Sequence, residues 1–179
     1  RFSPVMDSVI EHAQRGGYVL GVCNGFQILT EAGLLPGSLL RNTGQKFVCK
    51  NVYIKPQTDA ASITAKLNLN KAYKIPVAHA EGRYYADKRT LKQLNENDQI
   101  IFRYCDENGE ITNETNPNGS LENIAGISNK SKNVFGLMPH PERAADKVLG
   151  NIDGVAIFES ILKKPATKTL RHKGSQSFF

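Results

Sequence analysis

The segment from Tyr18 to Gly33 constrains the fold most strongly, because a short apolar run passes through a tight turn into a helical pattern. Tyr18 to Val22 has the composition of a buried parallel strand. Asn24 to Gly33 follows as a helix that is closed by glycine. A strand that turns directly into a helix is the basic unit of layered α/β proteins, so this segment favours that class.

The rest of the chain alternates in the same way. The further predicted strands are 47–55, 74–79, 99–105, 124–128 and 134–138, and the further predicted helices are 4–13, 88–96 and 154–162. This order predicts a three-layer α/β fold with a largely parallel sheet. The first helix has no strand before it, although such a helix normally crosses over from one. We therefore expect the N-terminal strands of the fold to be missing from this chain.

Composition indicates one globular domain followed by a basic tail. Hydrophobic residues make up 40% of the 179 residues, and no apolar run approaches the roughly 20 residues that span a bilayer. Segment 163–179 carries five of the 23 basic residues and no acidic residue, so most of the net charge of +6 lies there. We assign 1–162 to the domain and 163–179 to a disordered tail, with an interaction arm as the alternative. The nearly neutral remainder indicates no nucleic-acid partner, and the lack of a long apolar run indicates no membrane partner.

The three cysteines form no C-x-x-C pair and are odd in number. They therefore indicate neither a disulfide framework nor a metal site, and a reducing cytoplasm is the expected compartment. Cys49 and Cys105 lie in or at the end of apolar strands, so we expect both in the core.

Cys23 has a different context. It occupies the centre of Gly21-Val22-Cys23-Asn24-Gly25, a nucleophile elbow with cysteine in place of serine. Residues two before and two after the nucleophile must be small so that strand and helix can meet. The turn places the sulfur at a helix N-terminus, where the dipole stabilises a thiolate, and makes the Asn24 N–H an oxyanion donor. The alternative is a small buried hydrophobic residue.

A cysteine nucleophile needs a base and a group that orients the base. Two segments supply His-x-Glu, namely His79-Ala80-Glu81 and His140-Pro141-Glu142. His140 is favoured because two prolines stiffen its turn after a core strand, at the sheet edge where α/β proteins place their sites. His79 also ends a strand and remains a competitor. The other histidines, His12 and His172, are expected on the surface.

The segments GVCNGFQ (21–27) and GLMPHPER (136–143) together strongly resemble the class I glutamine amidotransferases. The segments LLRNTGQKFVCK (39–50) and HAEGRYY (79–85) resemble, more specifically, the glutaminase subunits of phosphoribosylformylglycinamidine synthase. The resemblance runs from about Phe2 to Leu162. It implies a flavodoxin-like fold of the amidotransferase type.

The resemblance also implies a function and a set of residues. Glutamine would be hydrolysed by a triad of Cys23, His140 and Glu142, and the ammonia would serve purine (IMP) biosynthesis. A synthetase subunit, PurL, would use it with ATP and Mg, helped by the small subunit PurS, whereas this chain would hold no cofactor and no metal. The residues expected to hold or shape the glutamine pocket are Gln27, Arg41, Asn42 and Phe47. His79 and Glu81 would then lie in a loop near the pocket mouth or a partner surface.

The chain also departs from the family pattern, because the family's second oxyanion donor lies on a Gly-Gly turn that we expect before Arg1. Loss of such a donor costs about 3 kcal/mol of transition-state stabilisation in other acyl-transfer enzymes. Alternative functions are another class I amidotransferase, a hydrolase of the cysteine-elbow group, and a non-catalytic truncated binding module. The sequence contains no phosphate-binding loop, so ATP chemistry is expected on a partner.

Overall fold

The computed structural model describes residues 3–162, and the predicted tail and His172 lie outside that range. The helices are α1 (Pro4–Gln14), α2 (Asn24–Glu31), α3 (Lys88–Glu96) and α4 (Val155–Leu162). The strands are β1 (Val19–Val22), β2 (Ser38–Leu40), β3 (Val48–Pro56), β4 (Tyr73–His79), β5 (Arg83–Tyr85), β6 (Ile100–Cys105), β7 (Ile124–Ser128) and β8 (Val134–Leu137). Every helix and strand that the sequence predicts is present, with ends that differ by a few residues.

The main sheet has the order β1-β8-β7-β6-β3-β4. The pair β1 and β8 is parallel, whereas the four other neighbouring pairs are antiparallel. The α/β class is confirmed, but the prediction of a largely parallel sheet is wrong. For β7 and β8 the reason lies in their connection, since only five residues, 129–133, join them. A parallel pair needs a crossover of a dozen residues or more. A connection of five residues therefore forces an antiparallel hairpin.

The strands β2 and β5 form a separate antiparallel pair that the sequence analysis did not predict. Each is three residues long, too short for an alternating pattern to be visible. Tyr84 in β5 is completely buried and stacks on Phe26 of α2, with 6.0 Å between the ring centroids. Its hydroxyl donates to the Pro36 carbonyl at 2.9 Å. The small sheet therefore anchors the segment after β4 to the helix that follows Cys23.

Two apolar clusters cover the two faces of the main sheet. One is centred on side chains such as Ile54, Ile75 and Phe102, and the other includes Phe26, Leu35 and Tyr84. Gly136 in β8 allows the second cluster to pack closely, because a Cβ there would lie 2.1 Å from the Phe26 ring. Helix α2 is thus held against β8 by shape as well as by apolar burial.

The two cysteines outside the elbow differ in burial. Cys105 is 3% exposed, as predicted. Cys49 is exposed, so the prediction of a core position is wrong for it. The part of β3 that contains Cys49 pairs with β4 alone, since the pairing with β6 begins at Tyr53. The first half of β3 therefore runs along an edge of the sheet, where an apolar-looking segment need not be buried.

Candidate active site

The nucleophile elbow forms at the end of β1. Cys23 has φ 52° and ψ −108° and directly precedes α2. A positive φ is uncommon for a residue with a side chain, and such strained backbone is typical of functional turns. The Cys23 N–H donates to the Leu137 carbonyl at 2.7 Å, which ties the elbow to the end of β8. The predicted strand–turn–helix geometry is therefore present.

The two glycines of the elbow are not equivalent. A Cβ on Gly21 would lie 2.6 Å from the backbone carbonyl carbon of Gly25, whereas a Cβ on Gly25 would meet no atom within 4 Å. The requirement for a small residue two positions before Cys23 is confirmed. The same requirement two positions after it is wrong here, because the Gly25 side-chain position faces open space.

This asymmetry predicts opposite outcomes for two alanine substitutions. Gly21→Ala should lower the free energy of unfolding by about 1 to 3 kcal/mol or more, because backbone must move to admit the methyl group. Gly25→Ala should change it little or raise it by up to about 1 kcal/mol, since alanine is the better helix former. Urea unfolding of both variants measures the difference. Equal destabilisation by the two substitutions would contradict the geometry.

The thiol of Cys23 is half-buried, and that burial raises its pKa above the ordinary value. The Asn24 backbone N–H and the charge of Arg143 oppose this effect, while the charge of Glu142 adds to it. The helix N-terminus, through the Asn24 N–H, therefore favours the thiolate as expected, but burial outweighs it and the net pKa lies above the ordinary value. Such a thiol needs a base to become a nucleophile.

His140 and Glu142 form a close pair after β8. The Nδ1 atom of His140 lies 2.6 Å from a Glu142 carboxylate oxygen, which also lies 3.7 Å from Arg143 Nε. A carboxylate only accepts hydrogen bonds, so Nδ1 carries the proton and Nε2 is available as the base. His140 is buried, and its Nε2 has no hydrogen-bond partner among residues 3–162. The predicted base and its orienting group are thus brought together.

Cys23 and His140 follow two neighbouring strands at the same edge of the sheet. Val22 is aligned with Leu137 in the parallel pair of β1 and β8, so both chains leave the sheet there. The His140 N–H donates to the Pro76 carbonyl of β4 at 2.8 Å. The Cys23 sulfur contacts the Ala78 carbonyl at 3.7 Å, and the expected hydrogen bond to His140 is not formed. The thiol therefore donates to Ala78 and is not paired with the base, as in many active sites whose catalytic hydrogen bonds form only once substrate is bound.

His79 is held differently from His140. Its Nδ1 lies 3.2 Å from the Asn42 side-chain oxygen, so Nδ1 is the protonated nitrogen. Burial, with a smaller contribution from nearby His140, lowers the pKa of His79 to about 4. Its Nε2 is buried and has no hydrogen-bond partner in the described part of the chain. His79 is thus a neutral ring at pH 7, oriented by an amide rather than by a carboxylate.

A cavity of about 200 Å³ lies beside the nucleophile and is lined by Cys23, Gln27, His79, Ala80 and Glu81. A second cavity of about 430 Å³ shares Gln27 and Glu81 with it. A larger cavity of about 510 Å³, near Tyr18 and Asn133, contains none of the predicted catalytic residues. Chemistry rather than size therefore selects the cavity at Cys23 as the site.

The predicted glutamine-binding residues lie in different surroundings. Gln27 lines the cavity, and its side-chain amide donates to the Glu81 carbonyl at 2.8 Å. Asn42 is buried and directs its amide at protein atoms, so it shapes the site from behind. Arg41 is exposed, and its carbonyl accepts from Arg83. Phe47 is 64% exposed. Arg41 and Phe47 do not line the cavity at Cys23, and their role in binding stays a prediction.

Three contributors to the site were missed by the sequence analysis. They are the carbonyl of Ala78, the charge of Arg143 and the side chain of Asn118, which donates to the Gly82 carbonyl at 2.8 Å. A backbone carbonyl leaves no sequence signal. Asn118 lies in the segment 113–120, whose composition indicates only turns. Arg143, by contrast, could have been noticed, because it directly follows the His-Pro-Glu motif.

Among residues 3–162, no group of three or more histidine, cysteine or acidic side chains is arranged to hold a metal ion. In the same part of the chain, no helix has both the length and the apolar character needed to cross a membrane. His12 is exposed on α1, as predicted.

Comparison with known proteins identifies the family of this chain. A model of the CobB/CobQ-like glutamine amidotransferase domain matches residues 1–161. The phosphoribosylformylglycinamidine synthase subunit PurQ of Koribacter versatilis is 54% identical over 162 residues, which are 90% of this chain and 70% of that protein. PurQ of Aquifex aeolicus is 51% identical over 160 residues, with 89% and 70% covered.

A solved structure is similar as well. A chain in the structure of PurLQS from Thermotoga maritima matches with a TM-score of 0.72 and 40% sequence identity. The match covers 86% of this chain, which spans 65% of the length of that one. Because the family model matches nearly the whole described domain and the relatives are more than half identical, the chain belongs to the CobB/CobQ-like glutamine amidotransferase family and, within it, to the PurQ subunits.

Proposed function

We propose that this chain hydrolyses glutamine to glutamate and ammonia as the glutaminase subunit of phosphoribosylformylglycinamidine synthase. The observation that carries the proposal is the elbow cysteine beside a small cavity, with a histidine–carboxylate pair at 2.6 Å on the same sheet edge. The family and the PurQ relatives support the substrate. The predicted triad of Cys23, His140 and Glu142 is the catalytic set.

The first half of the reaction forms a thioester. His140 Nε2 takes the thiol proton, and the Cys23 sulfur attacks the carboxamide carbon of glutamine. The carbonyl oxygen becomes an oxyanion, which accepts a hydrogen bond from the Asn24 N–H. The tetrahedral intermediate then breaks its C–N bond, and His140 gives its proton to the departing nitrogen, which leaves as ammonia. Glu142 stabilises the imidazolium that forms between the two proton transfers.

The second half regenerates the thiol. His140 Nε2 takes a proton from water, and the resulting hydroxide attacks the thioester carbon. The C–S bond breaks, the sulfur regains the proton from His140, and glutamate leaves. Because burial raises the pKa of Cys23, the thiol would be mostly protonated without this base. Proton transfer to His140 is therefore part of the reaction rather than a preliminary ionisation.

The same proposal assigns ATP and Mg to a partner rather than to this chain. The sequence has no phosphate-binding loop, and the similar Thermotoga maritima structure is one of PurLQS. The partners are thus a PurL synthetase subunit and a PurS subunit, which use the ammonia to convert phosphoribosylformylglycinamide to the amidine. A cytoplasmic location, expected from the unpaired cysteines, belongs to this proposal.

The test is glutamate release by the protein alone and after addition of PurL and PurS with ATP, Mg and phosphoribosylformylglycinamide. Partner binding should raise release by roughly 10-fold or more, within the usual range of coupling between sites. A Cys23→Ser protein is the matched control for contaminating glutaminase. If glutamate release does not change when PurL and PurS are added, but rises with the partner of another amidotransferase, the proposed role is contradicted. No release under any of these conditions would favour a non-catalytic module.

A further inference from the structure

Two buried asparagines hold the peptide groups of Gly82 from opposite sides. The Gly82 N–H donates to the Asn42 side-chain oxygen at 3.1 Å. The Gly82 carbonyl accepts from the Asn118 side-chain amide at 2.8 Å. Asn42 and Asn118 are each 1% exposed and lie 40 and 36 residues from Gly82 in the chain. Such long-range, fully buried contacts fix the position of a turn more firmly than its own sequence does.

Asn118 is itself held in one orientation. Its side-chain oxygen accepts from the Ser120 N–H at 3.0 Å and from the Ser120 hydroxyl at 2.8 Å. Since the oxygen is occupied in this way, the nitrogen must be the atom that faces Gly82. The Asn118 carbonyl accepts from the Thr43 N–H at 3.1 Å, next to Asn42. One loop therefore links the segment at Asn42 to the turn at Gly82.

The turn held in this way, residues 79–82, forms one wall of the cavity at Cys23. His79, Ala80 and Glu81 line that cavity together with Cys23 and Gln27. Glu81 also accepts the hydrogen bond from Gln27, so the turn is coupled to α2. The turn is tightly packed, because a Cβ on Gly82 would lie 2.4 Å from the His79 ring. A shift of Gly82 would therefore move the cavity wall.

We propose that Asn118 is a positioning residue for the glutamine site, which it serves by holding Gly82 and thereby the wall formed by residues 79–82. The proposal rests on the proposed glutaminase function. Asn118 does not line the cavity at Cys23, so its effect is transmitted through the Gly82 carbonyl. Removing the Nδ2 donor leaves the buried Gly82 carbonyl with only the longer contact to the Ser120 hydroxyl at 3.3 Å and places an acceptor against it, which the turn relieves by moving. Displacement of a substrate wall by about 1 Å is enough for large kinetic effects.

The experiment uses Asn118→Asp, which keeps the shape and the oxygen that faces Ser120 but replaces the donor to Gly82. The KM for glutamine should rise by about 10-fold or more, with kcat changed by less than about 3-fold. The rate at which a glutamine-like diazo-ketone labels Cys23 should fall by a factor similar to the rise in KM. The rate at which iodoacetamide alkylates Cys23, measured on the peptide that contains Cys23, should not change, because this reagent does not bind through residues 79–82.

Asn133→Asp is the matched control for general destabilisation. Asn133 is also a buried asparagine, and its amide donates to the Ala13 and Gly17 carbonyls at 2.8 Å each, at the opposite end of β8. It should lower the unfolding temperature without raising the KM. If Asn118→Asp fails to fold, Ser120→Ala tests the same anchoring of Gly82 through a second contact. The Ser120 hydroxyl lies 3.3 Å from Gly82 O and 2.8 Å from Asn118 Oδ1, and it accepts from the Tyr84 N–H.

The outcomes separate this proposal from the glutaminase function. An unchanged KM in Asn118→Asp and Ser120→Ala, or an equal rise in Asn133→Asp, would overturn the positioning role. A wild-type protein without glutamine turnover would contradict the glutaminase function instead. In that case the ratio of diazo-ketone to iodoacetamide labelling still decides the role of Asn118, because it requires binding and not turnover.

Discussion

Replacement of Cys23 by alanine is expected to lower glutamine hydrolysis by roughly 10⁴-fold or more, since the covalent intermediate is no longer possible. Folding should be little affected, because the thiol is only half-buried, makes one long hydrogen bond to the Ala78 carbonyl at 3.7 Å and packs at the margin of an apolar cluster that alanine also suits. Binding of glutamine should also persist, because Gln27, His79 and Glu81 still line the cavity. Glutamate release in the presence of PurL and PurS, and urea unfolding, measure the two properties.

Labelling provides the control for this result. A glutamine-like diazo-ketone should modify Cys23 in the wild-type protein and no cysteine in Cys23→Ala, because only Cys23 lies beside the cavity. Cys49 is exposed, so a small alkylating reagent is expected to modify it as well. Cys49→Ala should remain fully active. Loss of hydrolysis in Cys49→Ala, or diazo-ketone labelling mapped to Cys49 or Cys105, would contradict the assignment of the nucleophile.

The positions of the six strands of the main sheet were predictable from the sequence, whereas the three-residue strands β2 and β5 and most of the strand directions were not. Apolar runs such as 124–128 and 134–138 reveal strands whatever the orientation of their neighbours, because burial selects the composition. Direction depends on the connections. The five residues between β7 and β8 excluded a helical crossover and indicated a hairpin, whereas the assumption that strands alternate with helices favoured parallel neighbours.

The elbow shows which parts of a site a local pattern can predict. Strand, turn and helix follow from adjacent residues, and the crowding at Gly21 follows with them. The pKa of Cys23 does not, because it depends on burial by distant segments as well as on the Asn24 N–H. The contacts of Asn118 with Gly82 join residues 36 positions apart, so no spacing rule reveals them.

The same limit applies to the two His-x-Glu segments, which look alike in sequence and differ in structure. In one, the histidine Nδ1 meets its own glutamate at 2.6 Å. In the other, His79 Nδ1 meets Asn42 instead, and Glu81 offers its carbonyl to Gln27. In both segments the sequence puts a glutamate two residues after a histidine, but the backbone conformation of the turn determines whether the two side chains are in contact. Pro141 begins the 3₁₀ helix that brings Glu142 back to His140.

These environments predict unequal effects for the two histidines. His140→Ala should lower kcat by about 10² to 10⁴-fold, the usual contribution of general acid–base catalysis. His79→Ala should retain much more of the hydrolysis, because a ring whose pKa is lowered to about 4 is a weak base and is scarcely protonated at pH 7. Single-turnover formation of the thioester separates chemistry from glutamine binding in both variants.

Glu142→Gln supplies the matched test of the orienting group. Glutamine keeps the size of the side chain but removes the negative charge that stabilises the imidazolium form of His140, so kcat should fall by about 10²-fold or more. Glu81→Gln is its control, since Glu81 meets Gln27 through its backbone carbonyl and its side chain is not required for that contact. If His79→Ala and Glu81→Gln abolish thioester formation while His140→Ala and Glu142→Gln spare it, the base is His79 and the assignment is wrong.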